Sequence, residues 1–291
     1  MTRSLTVLLN ILLGFILFSC VSAKKPDDDK SLLWKISGKN LNKPSYLFGT
    51  IHLICPEDYL WSEKMQQSLD KADEVCFEMD MDDPSVMMTI AMGMVDQSGK
   101  KLEEYFAPED YKKISDYVRD SLGMNITMFQ NMKPSALPTI FAVKSVYCAD
   151  PVSYEDRIMQ KAQKSKKGIV GIEMPEEQIA LFNSIPVDSV IKEVMDVINN
   201  DRKDEDTYRA MVKAYKEQDL QALYNFIKDS ENIGAEIEPF LDDRNKKWIE
   251  RMVERMDQKS VFFAVGAGHL WGDNGVITLL RKDGYTVEPV K

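Results

Sequence analysis

Two copies of one short sequence motif, which we call the Gly-x-x-His phrase, lie near opposite ends of the chain and constrain the fold more than any other feature. The chain has only two histidines. His52 follows the apolar run Tyr46–Phe48, and His269 follows Val261–Val265; each has a glycine three positions before it and a leucine directly after it. Short apolar runs of this kind are consistent with buried strands. The pattern predicts strands from both ends of the chain, each delivering an imidazole through a flexible glycine turn to one shared site.

In the N- and C-terminal parts of the chain, the pattern of apolar and turn-forming residues predicts an α/β fold. Turn-forming residues separate two apolar segments near the N-terminus, which predicts a hairpin. Helical spacing with acidic residues in the first turn predicts a helix directly after it. The predicted strands are Ser31–Ser37, Ser45–Ile51, Glu74–Met79, Gly168–Glu173, Ser260–Val265 and Tyr285–Pro289, with helices at Pro56–Ala72 and Asn274–Lys282.

Between about residues 83 and 256 the pattern is mostly helical, with one strand inside it. We therefore expect a mixed sheet assembled from the N- and C-terminal parts, with a large helical insertion forming a cap over one sheet edge. Ligands in open α/β sheets bind near the carboxyl ends of strands, where both histidines fall. The predicted helices are Pro84–Val95, Pro108–Leu122, Pro134–Cys148, Tyr154–Ser165, Asp188–Asn200, Asp201–Glu217, Leu220–Lys228 and Phe240–Met256.

The first thirty residues predict export. Arg3 precedes the apolar stretch Leu5–Leu17, which is too short for a stable membrane-spanning helix and matches a secretory signal. Cleavage after Ala23 fits an ordinary signal, whereas Leu17–Cys20 resembles a bacterial lipobox that would leave Cys20 as the lipidated first residue. The expected organisation is a signal peptide at 1–23, a tether at 24–30 and a single domain at 31–291, in the bacterial periplasm or outer cell envelope, with membrane contact only through such an anchor.

The net charge and the cysteine content exclude further classes of function. A net charge of -10 argues against nucleic acid as a partner, because phosphate binding needs a basic face. Cys55, Cys76 and Cys148 lack the spacing of a zinc-thiolate site, and an oxidising compartment permits one disulfide with one thiol left over. Cys76 and Cys148 are interpreted as small buried apolar residues. Cys55 stays a weak nucleophile candidate because it is three residues from His52.

The candidate chemistry lies at the ends of the predicted strands. Two of these strands are apolar until they end in a glutamate, at Glu78 and Glu173. Imidazole and carboxylate ligands together suit divalent zinc, manganese, iron or cobalt. We expect His52, Glu78 and His269 to bind the metal, which leaves a position for water. Glu173 is expected to act as a base or as a further ligand.

The helix at Phe240–Met256 carries two further candidates. Arg244 borders its apolar face, one turn before Trp248, and Asn245 lies within that face. An arginine in this position could hold a carboxylate or stabilise an oxyanion, so we expect both residues to bind the substrate or the transition state. The alternative is an arginine whose aliphatic stem packs on the core.

Taken in chain order, these residues resemble the motifs of the TraB/GumN (TraB/PrgY/GumN) family, which includes the Tiki proteases. The resemblance implies a metal-dependent peptidase that uses manganese or cobalt, and a pseudo-symmetric α/β core like those of erythromycin esterase (EreA) and ChaN. Zinc stays open as a further metal. The matching segments are Leu32–Ile36, Ser45–Leu53, Phe77–Glu78, Gly171–Glu173 with Gln178, Asp243–Asn245 with Trp248, and Val265–Leu270.

The leading hypothesis is an exported, metal-dependent hydrolase that acts on a peptide or a small-molecule substrate, most directly a peptidase of Tiki-like type. One alternative is a non-catalytic protein that binds and sequesters a peptide or small ligand in the same cleft. A second alternative is a structural envelope lipoprotein with a vestigial site. The substrate, the metal and the oligomeric state stay open at this point.

Overall fold

The computed structural model describes residues 30–199, 201–228 and 238–291. The predicted signal peptide, Cys20 and nearly all of the predicted tether lie outside these residues, so the predicted export and domain boundaries stay predictions. Among the described residues, no helix is both long and apolar enough to span a bilayer. The strands are β1 Leu33–Ser37, β2 Ser45–Thr50, β3 Leu53–Ile54, β4 Glu74–Phe77, β5 Val152–Ser153, β6 Gly168–Gly171, β7 Val261–Gly266 and β8 Thr286–Pro289.

Six of these strands form one mixed sheet in the order β6-β4-β7-β2-β1-β8. β1 and β2 are the predicted hairpin, and β8 pairs antiparallel with β1. The strands β2, β7, β4 and β6 run parallel, with β7 from the C-terminal part lying between β2 and β4. The α/β class and the assembly of the sheet from both ends of the chain are therefore confirmed. The carboxyl ends of all four parallel strands meet at one edge.

Eleven α-helices surround the sheet in the described part of the chain, and most lie within two residues of their predicted bounds. They are α1 Glu63–Lys71, α2 Pro84–Gly93, α3 Pro108–Leu122, α4 Leu137–Ala142, α5 Tyr154–Lys164, α6 Pro175–Ser184, α7 Val187–Asn199, α8 Asp201–Lys216, α9 Leu220–Lys228, α10 Asp243–Gln258 and α11 Val276–Lys282.

Three helices differ most from what the sequence predicts, and α10 begins three residues later than predicted. α1 begins seven residues late, because Pro56–Asp58 form only a 3₁₀ turn and the helix starts after Ser62, whose side chain accepts a hydrogen bond from the Met65 N–H. The predicted helix Pro134–Cys148 contains only the short α4 between 3₁₀ turns. α6 was not predicted, although Pro175 stands at a first helical position, where its missing N–H costs nothing.

The helical insertion has a small core of its own. Buried side chains of α3, α4 and α7 form a cluster separate from the main core around the sheet, with members such as Ile114, Phe141 and Val194. α4 and α7 also supply residues to a cavity that reaches the edge where the parallel strands end. The insertion thus lies over the functional edge of the sheet, as the sequence predicts.

A disulfide joins Cys55, just after β3, to Cys148, just before β5. This is the one disulfide that the sequence permits, and Cys76 is free and buried, as its interpretation as a small buried residue expects. The interpretation of Cys148 as a merely apolar residue was wrong, and the disulfide removes Cys55 as a nucleophile. The bond reinforces the β3–β5 pairing, which holds the start of α5 next to the residues that follow β2.

Candidate functional site

A cavity with a volume of about 530 Å³ opens at the carboxyl ends of the parallel strands, and we call it the cleft. Both histidines line it, together with Glu78 and Arg244. The helical insertion supplies many of the other lining residues. The lining residues from the insertion include Pro138, Phe141, Ala142, Val146, Glu193 and Val197, followed along the chain by Tyr208, Met211 and Tyr215.

The two Gly-x-x-His phrases pack directly on each other. A Cβ atom added at Gly49 would lie 3.0 Å from the Cα atom of Ala267, which is tighter than nine in ten real Cβ contacts. Gly49 and Gly266 are both strand residues, and neither has a positive φ angle. The expectation of flexible glycine turns was therefore wrong. The glycine at the head of the first phrase is required for close approach of β2 to the second phrase.

A buried ion network occupies the middle of the sheet edge. Arg244, in the first turn of α10, donates from Nη2 to Oε2 of Glu78 at 2.7 Å and to Oε2 of Glu173 at 2.8 Å. Its Nε also donates to Glu173 at 2.9 Å. Burial disfavours charge on all of these groups, but the opposite charges outweigh it: the pKa of Glu78 is held below its usual range, and the pKa of Arg244 is raised.

Glu173 accepts hydrogen bonds from other side chains as well as from Arg244. The Trp248 indole donates to its Oε1 at 2.7 Å and Gln178 donates to its Oε2 at 3.1 Å. The side chain of Glu173 is only 3% exposed, and it does not line the cleft. Because its lone pairs are already occupied, this carboxylate is suited to fixing Arg244 and poorly suited to taking a proton from a substrate.

His269 is held in one tautomer by Asn245. The Asn245 amide group donates to the carbonyls of His269 and Asn274, at 3.2 and 2.9 Å, so its oxygen faces the ring. This oxygen lies 2.7 Å from Nδ1 of His269 and must accept the Nδ1 proton. Burial lowers the pKa of His269 to about 3, so the ring is neutral at pH 7. Nε2 therefore carries a lone pair, and it accepts from Nη1 of Arg244 at 3.2 Å.

His52 lies in a contrasting environment. Its side chain is 78% exposed, whereas that of His269 is 5% exposed. Nδ1 of His52 lies 3.2 Å from Oε1 of Glu155, in the first turn of α5. Thr50 donates to the same oxygen at 2.7 Å. The hydrogen bond to Glu155 raises the pKa of His52 above its usual range, and solvent around the ring moderates that shift.

The structure thus brings Glu78, Glu173, Arg244, Asn245 and His269 into one connected cluster and leaves His52 on the rim of the same cleft. Asn245 does not line the cleft, and its side-chain oxygen contacts His269. The catalytic and metal-binding roles expected of these residues stay predictions.

The chemistry of the donors at His269 and Glu78 fits a divalent ion. Nε2 of His269 is unprotonated and lies 3.9 Å from Oε1 of Glu78, which is ionised. The hydrogen bond from Nδ1 to Asn245 is the kind of outer contact that orients a metal-binding imidazole. In the described part of the chain, however, no three histidine, cysteine or acidic side chains are grouped closely enough to hold an ion. Arg244 contacts both donors, so an ion bound there would replace its contact with Nε2.

Glu155 was missed by the sequence reasoning, and so was Glu193. Glu155 follows the helix-capping Ser153, which signals a helix start but nothing about His52. Its position depends on pairing between β3 and β5, and strands of two residues each leave no alternating pattern to detect. Glu193 looks like any surface residue of an amphipathic helix until the cleft is seen.

Comparison with known proteins gives a family match over most of the chain. The profile of the TraB/PrgY/gumN family matches residues 32–289. Similar proteins include Metalloprotease TIKI1 of Danio rerio, which is 25% identical over 92% of this chain and 65% of its own length, and Metalloprotease TIKI2 of Xenopus tropicalis, which is 26% identical over 92% of this chain and 61% of its own length. Metalloprotease TIKI1 of Homo sapiens is 24% identical over 93% of this chain and 64% of its own length.

This chain therefore spans somewhat less than two thirds of the length of these relatives. No solved structure is significantly similar to it. The expected likeness of the core to erythromycin esterase and ChaN stays a prediction.

Proposed function

The chain belongs to the TraB/PrgY/gumN family, and we propose that it is an exported, metal-dependent hydrolase that cleaves peptide bonds. The observation that carries the proposal is the meeting of both histidines with Glu78 and Arg244 around one open cleft. The relatives named as metalloproteases support the same reaction class. The lining that the insertion supplies to the cleft is mostly apolar, which suits a peptide bound by its side chains.

We assign metal binding to His269 and Glu78, with His52 as the third ligand from the rim of the cleft. Manganese and cobalt are the ions that the family resemblance implies, and the donor set also suits zinc. The chemistry that such an ion supplies is Lewis acidity toward a carbonyl oxygen and toward water. Glu155 orients the ring of His52 through Nδ1, as Asn245 orients the ring of His269.

The remaining residues act through charge and position. Arg244 lines the cleft, and an ion that replaced its contact with Nε2 of His269 would leave its Nη1 group able to stabilise negative charge on the carbonyl oxygen of a scissile bond. Glu173 fixes the guanidinium through its Nε and Nη2 atoms, which we assign as its role in place of proton transfer. Glu78 is ionised and lies on the cleft wall, which suits the metal-binding role assigned to it.

The test is cleavage of a diverse peptide pool by the purified protein, with manganese or with chelator. We expect cleavage only with metal, and a loss in His52→Gln and His269→Gln that exceeds the roughly 10–100-fold cost of removing an outer partner of a metal ligand. Lys43→Gln is the control, because Lys43 contacts Asp73 on the exposed surface away from the cleft. Equal product in all arms, or no product in any arm, would refute the hydrolase.

One observation favours the alternative of a non-catalytic binder. Arg244 occupies the lone pair of His269 that an ion would need, and no three-ligand group is present in the residues described. A binder of peptides would hold them in the same cleft with affinity that survives chelation and would release them unchanged. Isothermal titration with manganese separates the two functions, since the binder predicts no metal uptake at neutral pH.

Export is part of the proposal. The disulfide between Cys55 and Cys148 supports it, because such bonds persist in oxidising compartments and are rare in the cytosol. Mass spectrometry of the mature N-terminus tests it: a lipidated Cys20 or a start at Lys24 is expected, and an intact Met1 in the mature protein would contradict export.

A further inference from the structure

The wall of the cleft formed by the insertion contains one acidic group that the proposed reaction does not use. Glu193 lies in the middle of α7 and lines the cleft. The side chains near it along that wall are apolar, from Phe141 of α4 and from Val197, one turn later in α7. A carboxylate in such surroundings loses hydration and gains nothing in return unless a partner is present.

No partner for Glu193 is found in the described residues. It takes part in no hydrogen bond or ion pair there, and burial alone raises its pKa, to about 7. The cations that share the cleft are already engaged: Arg244 contacts Glu78 and Glu173, and His52 contacts Glu155. A half-buried carboxylate thus lies against a cavity, and among the described side chains none supplies the charge that would compensate it.

We propose that Glu193 binds a positively charged group of the peptide, either the side chain of a lysine or arginine or a free N-terminal amine. This inference rests on the proposed function only in taking the ligand to be a peptide. A cation that enters the cleft replaces the missing partner, and a neutral side chain of the same length leaves the carboxylate buried and unpaired. Glu193 therefore selects between ligands by the cost imposed on the neutral one.

The position of Glu193 separates recognition from chemistry. Glu78, Arg244 and His269 lie at the sheet edge, and Glu193 lines the same cavity from α7 of the insertion, without contact to any of the three. A peptide that spans the cleft would meet the polar cluster with its backbone and Glu193 with a side chain or its amino end. The carboxylate then sets which peptides bind without entering the reaction.

The test measures binding in chelator, so that cleavage plays no part. Two pools of fluorescent peptides differ only in carrying lysine or norleucine at one position, and each pool is made with free and with acetylated N-termini. Fluorescence anisotropy should show the lysine pool binding the wild-type protein about tenfold more tightly than the norleucine pool. A preference carried by the free N-termini instead would identify the N-terminal amine as the bound group.

Glu193→Gln should abolish this preference and leave the binding of the acetylated norleucine pool unchanged or stronger. Asp188→Asn is the matched control, because it removes the same charge from an exposed position in the first turn of α7. The inference is overturned if charged and neutral peptides bind alike, if no pool binds, or if the preference survives in Glu193→Gln.

Cleavage is measured separately with manganese. Selective binding without cleavage would contradict the hydrolase and leave this inference standing. Cleavage without a preference for charged peptides would support the hydrolase and overturn this inference.

Discussion

The two Gly-x-x-His phrases are nearly identical in sequence and opposite in environment. The ring of His269 is buried, packs on Trp248 at 4.3 Å between ring centroids, and is kept neutral. The ring of His52 is mostly exposed and is drawn toward its charged form by Glu155. The same local pattern therefore produces one preorganised imidazole and one adaptable imidazole, because the partner that decides the charge comes from a different element in each case.

The difference shows how the site divides its work. At the His269 end, α10 supplies Arg244, Asn245 and Trp248, so one helix fixes the charge, the tautomer and the ring plane together. At the His52 end, a single carboxylate and a disulfide nearby hold a loop against α5. Changes to the side chains that contact His269 should cost stability as well as function, whereas changes to the side chains that contact His52 should cost mainly function.

Replacing Arg244 should have the largest effect on stability. Arg244→Ala leaves Glu78 and Glu173 buried without their cation, which we expect to lower the free energy of unfolding by about 3–5 kcal/mol. Arg251→Ala is the matched control, since its pair with Glu177 is more exposed and should cost less than about 1 kcal/mol. Urea unfolding measures both. Similar losses in the two variants would show that the buried network does not differ from a surface ion pair.

Removing the disulfide should have the next largest effect. The double variant Cys55→Ala with Cys148→Ala should be less stable by about 2–4 kcal/mol, because the bond closes a long loop in the unfolded chain. Reductant should destabilise the wild-type protein by a similar amount and leave the double variant unchanged. Cys76→Ala is the control and should keep the full response to reductant. Identical unfolding of the wild type with and without reductant would contradict a disulfide in solution.

The protonation of the histidines should have the smallest effect on stability. It should also show the sharpest contrast between the environments of His52 and His269. An untagged, metal-free protein has two imidazoles. Nuclear magnetic resonance should show one ring that titrates with a raised pKa and one that does not titrate between pH 5 and 8. Glu155→Gln should move the titrating ring back toward the ordinary range of imidazole. Two rings that titrate alike would contradict the different environments of His52 and His269.

The contact between His52 and Glu155 also predicts the direction in which pH changes the stability of the protein. The folded-state pKa of His52 is raised, so its stabilising contribution is fully present below the pKa of the unfolded imidazole and is lost as the pH rises through the raised value. Because the ring is 78% exposed, the contribution should stay below about 1 kcal/mol. The stability difference between the wild type and Glu155→Gln should therefore shrink at alkaline pH.

The sequence alone determined the sheet and its functional edge. Apolar runs at Tyr46–Phe48 and Val261–Val265 are local signals, since a buried strand must be apolar along its length whatever its neighbours are. The parallel order then follows from strands separated by helices, which brings the ends of β2, β4, β6 and β7 together. For this reason His52, Glu78, Glu173 and His269 could be expected near one another before any coordinates were known.

Only the tertiary structure decided what each of these groups can do. Glu78 and Glu173 end their strands alike, but one faces the cleft and the other is enclosed by Arg244 and Trp248. Ionisation, tautomer and access depend on partners far away in the chain, because a charge responds to everything within a few ångströms of it and to nothing that is merely adjacent in sequence. Spacing along the chain therefore fixed the place of the site, and packing fixed the charge on its members.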